Sequence, residues 1–233
     1  MIMNEKIKKS ELRRNEILSV AQNMFYQHGY ENTSINMIID ALGISKGAFY
    51  HYFKSKEDLL DQLADNFTQE ILKKMNSILE DENLNAIEKL NQVYLQGSIY
   101  KAEHFDFILT LVKAVYSDDN IFLRHKFNSK SIEHSLPLMT TILEQGKQEG
   151  VFDIEDAAVT ARMILLFGIS IASLNARLLM DFETNPESIQ EILAHFRAYQ
   201  SSVERMLGAP KNSIQAFDDS FLTTLQKYYE TVK

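Results

Sequence analysis

The densest group of chemically useful side chains in the 233-residue sequence lies between positions 45 and 56. Ser45, Lys46 and Gly47 are followed by Tyr50, His51 and Tyr52, and then by Lys54 and Lys56. Ammonium groups and hydroxyls so close together are donors suited to an anion such as phosphate, which accepts charge-assisted hydrogen bonds. A second group, Glu103-His104-x-Asp106, offers metal or acid–base chemistry. The sequence has no paired-histidine metal spacing, no phosphate-binding loop and no nucleophile motif to go with it. With Cys 0 it also has no thiol nucleophile, no cysteine zinc site and no disulfide framework.

The elements that must position the first group are helices. Ile17, Leu18, Ala21, Met24 and Phe25 form an apolar stripe at helical spacing that stops at His28-Gly29. Thr33-Ser34 supplies an N-cap for a short helix carrying Ile35, Ile38 and Leu42, which ends at Gly43. Ser45 caps the next, with Ile44 outside and Phe49 inside at the spacing of a hydrophobic staple. Two short capped helices, 34–42 and 45–52, joined by Gly43-Ile44 are a helix–turn–helix, whose second helix enters the major groove of DNA. Ser45, Lys46 and Gly47 then lie at a helix N-terminus where small side chains permit close approach. Ala48, Phe49 and Phe53 can turn inward, leaving Lys46, Tyr50, His51 and Lys54 on the outer face. Tyr50 and Tyr52 can donate to phosphates. Lys54 and Lys56 bracket the start of a fourth helix, where cations do not help the helix dipole, so their placement suggests an external anion.

That fourth helix begins at Ser55, with Asp58 three residues on, and runs to about Leu79, a reach of ~36 Å at ~1.5 Å per residue. Helical periodicity continues over 85–116 with a break near Glu103-His104, through short segments near 120–128, and over 136–149 with its start near Pro137. Further helices are expected over 154–181, over 186–207 behind an Asn185-Pro186-Glu187 cap, and over 213–231, where Ile214, Phe217, Phe221, Leu225 and Tyr228 recur. The fold class is all-α: a three-helix head with a short basic tail, residues 1–54, and a larger helical body, 55–233.

Net charge is −8, yet residues 1–56 carry +3 and the remainder −11. A basic head on an acidic body fits a nucleic-acid contact confined to one end. The absence of cysteine and of an N-terminal leader points to the cytoplasm. The longest apolar run, Met163 to Leu174, is broken by Ser170 and is short for a membrane span.

Arg14-Asn15-Glu16-Ile17-Leu18, Ala21, Phe25, Gly29-Tyr30 and Thr33-Ser34-Ile35, followed by the run Gly43-Ile44-Ser45-Lys46-Gly47-Ala48-Phe49-Tyr50-His51-Tyr52-Phe53-Lys54-Ser55-Lys56-Glu57-Asp58-Leu59-Leu60, resemble the N-terminal domain of tetracycline-repressor (TetR) family regulators. The resemblance covers about residues 10–62, with a weaker echo at Gly146-x-x-x-Gly150-Val151-Phe152. It implies that Thr33 and Ser34 touch phosphate, that Ser45, Lys46, Gly47, Tyr50 and His51 line the recognition helix, and that Tyr52, Lys54 and Lys56 anchor the backbone. Lys46 can reach the O6 and N7 acceptors of guanine. Lys6, Lys8, Lys9, Arg13 and Arg14 are either a further groove contact or a solvated tail.

In the body, Ala161, Leu165, Gly168, Ala172 and Ala176 on the 154–181 helix allow close helix approach, and that helix is apolar on all sides. The resemblance implies pairing with the 186–207 helix, through Ile192, Phe196 and Val203, in a two-fold homodimer interface; a purely intramolecular core helix is the alternative. It also implies an effector chamber. Candidates for its wall are Tyr94, His104, Phe105, Phe107, Tyr116, Phe127, Met139, Met163, Phe167 and Asn175, residues that equally suit an ordinary helical core. The expectation is a dimeric regulator released from a palindromic double-stranded operator by a small molecule, with no metal, no cofactor, no membrane contact and no catalytic residue. Control by a protein partner, or by no effector, is a second reading, and an all-α enzyme using His104 a third.

Overall fold

The computed structural model describes residues 2–117, 120–181, 185, 187–218, 223, 224 and 227. Among these the regular structure is helical throughout: α1 (Ile2–His28), α2 (Ile35–Leu42), α3 (Lys46–Tyr52), α4 (Lys56–Glu80), α5 (Ala86–Glu103), α6 (Phe105–Tyr116), α7 (Ile121–Glu149), α8 (Ala157–Met180) and α9 (Ser188–Leu207). They form two compact units, one of residues 1–67 with 106–123, the other of 68–105 with 124–233.

In the first unit local signals set the helix ends. Gly29 takes φ +79°, a left-handed conformation that closes α1, and Gly43 at φ +59° closes α2. The Ile44 N–H then returns to the Ile39 carbonyl at 3.2 Å, satisfying one carbonyl of the last turn. Ser34 accepts from the Met37 N–H and Ser45 from the Ala48 N–H, so both N-caps form where the sequence places them. Ile17, Phe25, Ile38, Phe49, Phe53, Leu59 and Leu60 are fully buried and make the core on which α1 to α3 pack.

The second unit buries Leu90, Val93, Leu138, Met139, Ile142, Leu143, Ile164, Val203 and Leu207 in one cluster, with α8 packed against α9. Phe152 fills the space over Gly146, where a β-carbon would stand 2.0 Å from the ring; a side chain at 146 would displace it. The α5/α6 break falls at His104, as the periodicity indicates.

Three helix boundaries differ from expectation. α7 runs unbroken from Ile121 to Glu149 with Pro137 inside it. Pro137 is exposed while Leu138, Met139, Ile142 and Leu143 beside it are buried, so burial of this face outweighs the missing N–H. α8 starts at Ala157, where the Asp156 side chain accepts from the Val159 N–H. α9 starts at Ser188, and Glu187 before it makes no side-chain cap; Pro186, central to the expected cap, lies outside the described residues. Of the helix expected over 213–231, residues 213–218 are not helical, and Phe221, Leu225 and Tyr228 lie outside the described residues.

Candidate functional site

α3 presents one buried and one open face. Phe49 and Phe53 are fully buried, while Ser45, Lys46, Gly47, Tyr50, His51 and Lys54 are exposed and Tyr52 is half-buried. Tyr50 stands 45% exposed, with its ring edge against Phe49. At Gly47 a β-carbon would meet nothing nearer than Ser45 Oγ at 3.9 Å. Packing within the chain therefore does not require glycine there, and the open space suits close approach by an outside surface. Ser34 is likewise exposed at the N-terminus of α2.

Two residues expected on phosphate point inward instead. Thr33 is completely buried, with its hydroxyl 2.8 Å from the Gly29 carbonyl and 3.2 Å from that of Met24. Its side chain ties the α1–α2 turn together and cannot reach an external anion. Lys56 lays its ammonium 4.3 Å from the centre of the Tyr30 ring and donates to the Tyr30 carbonyl at 2.9 Å. The nearby phenol is held well above its ordinary pKa, first by burial and then by Glu57 and Glu31. Lys56 is thus a strut of the head, and Lys54 is the exposed cation of the pair.

The structure adds a polar relay that residue types alone did not reveal. Asp58 accepts from the Lys54 N–H through one carboxylate oxygen and from the Gln62 amide through the other, at 2.8 and 2.9 Å. Gln62 in turn accepts from the guanidinium of Arg14, which lies over the Phe53 ring. Arg14 is therefore engaged inside the unit rather than in a groove contact, and Arg13 pairs with Glu16. The only sequence trace of the relay was Asp58 at the third position after Ser55, and that cap does form, Ser55 accepting from the Asp58 N–H.

In the second unit the expected chamber residues separate. Tyr94, Met139 and Phe167 belong to one apolar cluster, joined by Tyr199, which the sequence did not single out. The Tyr94 and Tyr199 hydroxyls are 3.3 Å apart, and Phe167 lies 5.4 Å from Tyr199, ring centre to ring centre. Burial raises the pKa of both phenols, most at Tyr94. Asn175 is buried, its Oδ1 2.8 Å from His195 Nδ1. His104 stacks on Tyr100, with Nδ1 beside the Tyr100 carbonyl, and Glu103 pairs with Lys74 at 3.8 Å. Phe105 is buried and Phe127 half-buried in this unit. Phe107 and Tyr116 belong to the other unit, where Phe107 packs on Phe67. Met163 is 54% exposed on α8 and is not a core residue of this chain.

The small-residue stripe of α8 also turns inward. Ala161 and Ala176 are buried, and a β-carbon at Gly168 would stand 3.3 Å from the Tyr199 hydroxyl of the same chain. Ile192 and Val203 are buried against the chain's own core, Leu165 is half-buried, and Phe196 stacks on Phe217. Ala172 alone of the stripe is exposed. Close helix approach here is intramolecular. What α8 leaves open is a different apolar row, Val159, Met163, Leu166 and Leu174. By length and composition alone α8 passes for a membrane span, as core helices of globular proteins also do, and one of its faces is covered by α9.

Comparison with known proteins agrees with this geometry. Residues 17–63 match the profile of bacterial regulatory proteins, tetR family. The HTH-type transcriptional repressor KstR2 of Mycobacterium tuberculosis is 29% identical over 144 residues, 60% of this chain and 69% of that protein. The fatty acid metabolism regulator protein of Bacillus subtilis is 29% identical over 136 residues, 58% and 68% respectively. A TetR-family regulator from Pectobacterium atrosepticum shares the fold, with TM-score 0.64 at 17% identity over 88% of this chain and 98% of that one. Residues 17–63 are a DNA-binding domain of the tetR-family type, and the chain is a DNA-binding transcriptional regulator similar to the repressors of that family.

Proposed function

We propose that the protein is a dimeric repressor, released from a palindromic operator by a small apolar effector and acting in the cytoplasm. The observation that carries the DNA-binding part is the open face of α3, where Ser45, Lys46, Gly47, Tyr50, His51 and Lys54 are exposed together above a buried Phe49 and Phe53. Tyr52 at the edge and Ser34 on α2 complete the contact surface. Phosphate contacts by Ser34, Tyr50 and Lys54 fix register, and Lys46 reads a base edge. Residues 1–54 supply this contact and 55–233 supply control.

Dimerisation is supported by Val159, Met163, Leu166 and Leu174, four exposed apolar residues on one face of α8. A single short recognition helix covers few base pairs, so two heads are needed for useful specificity. Repression is supported by relatives named as repressors. The effector is supported by the Tyr94–Tyr199 hydroxyl pair set in an apolar cluster with Met139 and Phe167, a polar handle in an apolar wall. An apolar body bearing one oxygen function suits that handle, in keeping with a relative named as a regulator of fatty acid metabolism.

Selection of bound DNA from random duplexes, followed by a screen for compounds that release it, tests the whole reading. A two-fold symmetric site and release by an apolar compound are the expected results. A protein that enriches no sequence would overturn it.

A further inference from the structure

Beyond α9 the chain does something the helical pattern does not suggest. Gly208 at φ +60° ends the helix, and Asn212 at φ +64° turns the chain back. Residues 213–217 then lie without regular structure on α5 and α9. Asn91 of α5 grips this segment at two points, its amide donating to the Ser213 carbonyl at 2.8 Å and its carbonyl accepting from the Gln215 N–H at 2.7 Å. Between them Glu204 of α9, itself almost fully buried, accepts from the Ile214 N–H at 3.2 Å. Ile214 is completely buried in the same cluster as Val93, Tyr199 and Val203. Phe217 stacks flat on Phe196, 4.9 Å between centres and 6° between planes.

This is how a groove binds a short extended peptide: side chains read its backbone, one apolar residue enters a pocket, and a ring stacks at the rim. The occupant here is the chain's own segment. Asn91 precedes Tyr94 by about one turn on α5, Tyr199 precedes Val203 and Glu204 by about one turn on α9, and Ile214 shares one apolar cluster with Tyr94 and Tyr199. The segment is short and is held by side chains rather than by a backbone ladder, so the three side-chain hydrogen bonds and the seats of Ile214 and Phe217 set how often it opens. When it lifts, Asn91 and Glu204 gain water in place of their backbone partners, and no charge is left buried and unpaired.

We propose that residues 213–217 are a displaceable lid on the α5/α9 groove, through which the effector reaches Tyr94 and Tyr199. The proposal rests on the effector reading above. Its test uses the full chain, whose lack of cysteine allows a clean two-cysteine variant, Asn91→Cys with Gln215→Cys. The probe is cis-parinaric acid, a fluorescent fatty acid.

Oxidation should lock the lid and slow probe uptake by about tenfold or more relative to the reduced form. Asn91→Ala should take up the probe faster than wild type. It should also raise hydrogen exchange at the Ile214 and Gln215 amides by about tenfold, with helix content unchanged. Equal uptake by oxidised, reduced and Asn91→Ala proteins would overturn the lid and leave the chamber standing. Absence of binding in the reduced form and in Asn91→Ala alike would overturn the chamber reading, and the lid with it.

Discussion

The Tyr199 hydroxyl lies 3.3 Å from the point where a β-carbon on Gly168 would stand. Glycine at 168 therefore serves the packing of α8 on α9 within one chain. Gly168→Leu should overpack this contact and lower folding stability by ~1–3 kcal/mol. Met163→Glu and Leu166→Glu, on the exposed face, should leave thermal stability nearly unchanged and dissociate the dimer on sedimentation. A Gly168→Leu protein as stable as wild type would show that the Tyr199 side chain gives way at no net cost. A monomeric wild type at micromolar concentration would remove the role given to Met163.

The two lysines after α3 should behave differently. If each subunit sets one Lys54 on phosphate, Lys54→Ala should flatten the log–log salt dependence of operator binding by ~1.8 per dimer, ~0.9 for each contact. Lys56→Ala should leave the slope alone and lower the melting temperature instead, because it removes a cation over Tyr30 and a hydrogen bond to the Tyr30 carbonyl. Lys46→Ala should relax preference at particular base pairs, costing ~1–3 kcal/mol at the best site. Binding isotherms at four or more salt concentrations decide between these roles. A slope that responds to Lys56 and not to Lys54 would reverse the assignment.

Much of the head was legible because its instructions are local. Ser34, Gly43 and Ser45 act within four residues of themselves, and each forms the cap or turn its type favours. The inward turn of Lys56 and Thr33 was not legible, since it depends on Tyr30 and on the Gly29 and Met24 carbonyls brought near by the fold. On α8 the sequence shows apolar residues on every side, and only contact with α9 decides which face stays open. Pro137 reads as a helix start because proline usually interrupts, yet burial of its neighbours carries α7 through it. Ile214 and Phe217 have helical spacing but seat in two separate places, a core pocket and the face of Phe196.

The relay from Arg14 through Gln62 and Asp58 ends on the backbone N–H of Lys54, so it sets the exit of α3. Asp58→Ala leaves that N–H and the Gln62 amide without their acceptor and should cost ~1.5–3 kcal/mol of head stability, the range for hydrogen bonds to a charged group. Operator affinity should fall while the salt slope holds, because the number of phosphate contacts is unchanged. Gln62→Ala should act in the same direction with smaller size. If Asp58→Ala binds operator as wild type does, the turn at 53–55 is positioned by packing of Phe53 alone.

The last prediction concerns alkaline pH. In the unfolded chain Tyr94 and Tyr199 titrate near 10.0; in the folded chain both lie higher, because burial disfavours the phenolate. Above 10.0 the unfolded chain has released protons that the folded chain still holds. It then binds fewer protons than the folded state, so the free energy of unfolding must fall as pH rises. Below that value the two states hold the same protons at these sites and the phenols add no pH dependence. Denaturant midpoints measured from about pH 8 to about pH 11.5 should therefore be level at first and then decline. Tyr94→Phe and Tyr199→Phe should each make the decline shallower. At the lower pH values each variant should also show a constant offset of ~0.5–1.5 kcal/mol for the lost hydroxyl contact. A residual decline should persist in the double variant, because Tyr30 in the other unit is raised too. Equal steepness in wild type and the double variant would mean that the two hydroxyls face water, and that the handle assigned to the effector is not a buried one.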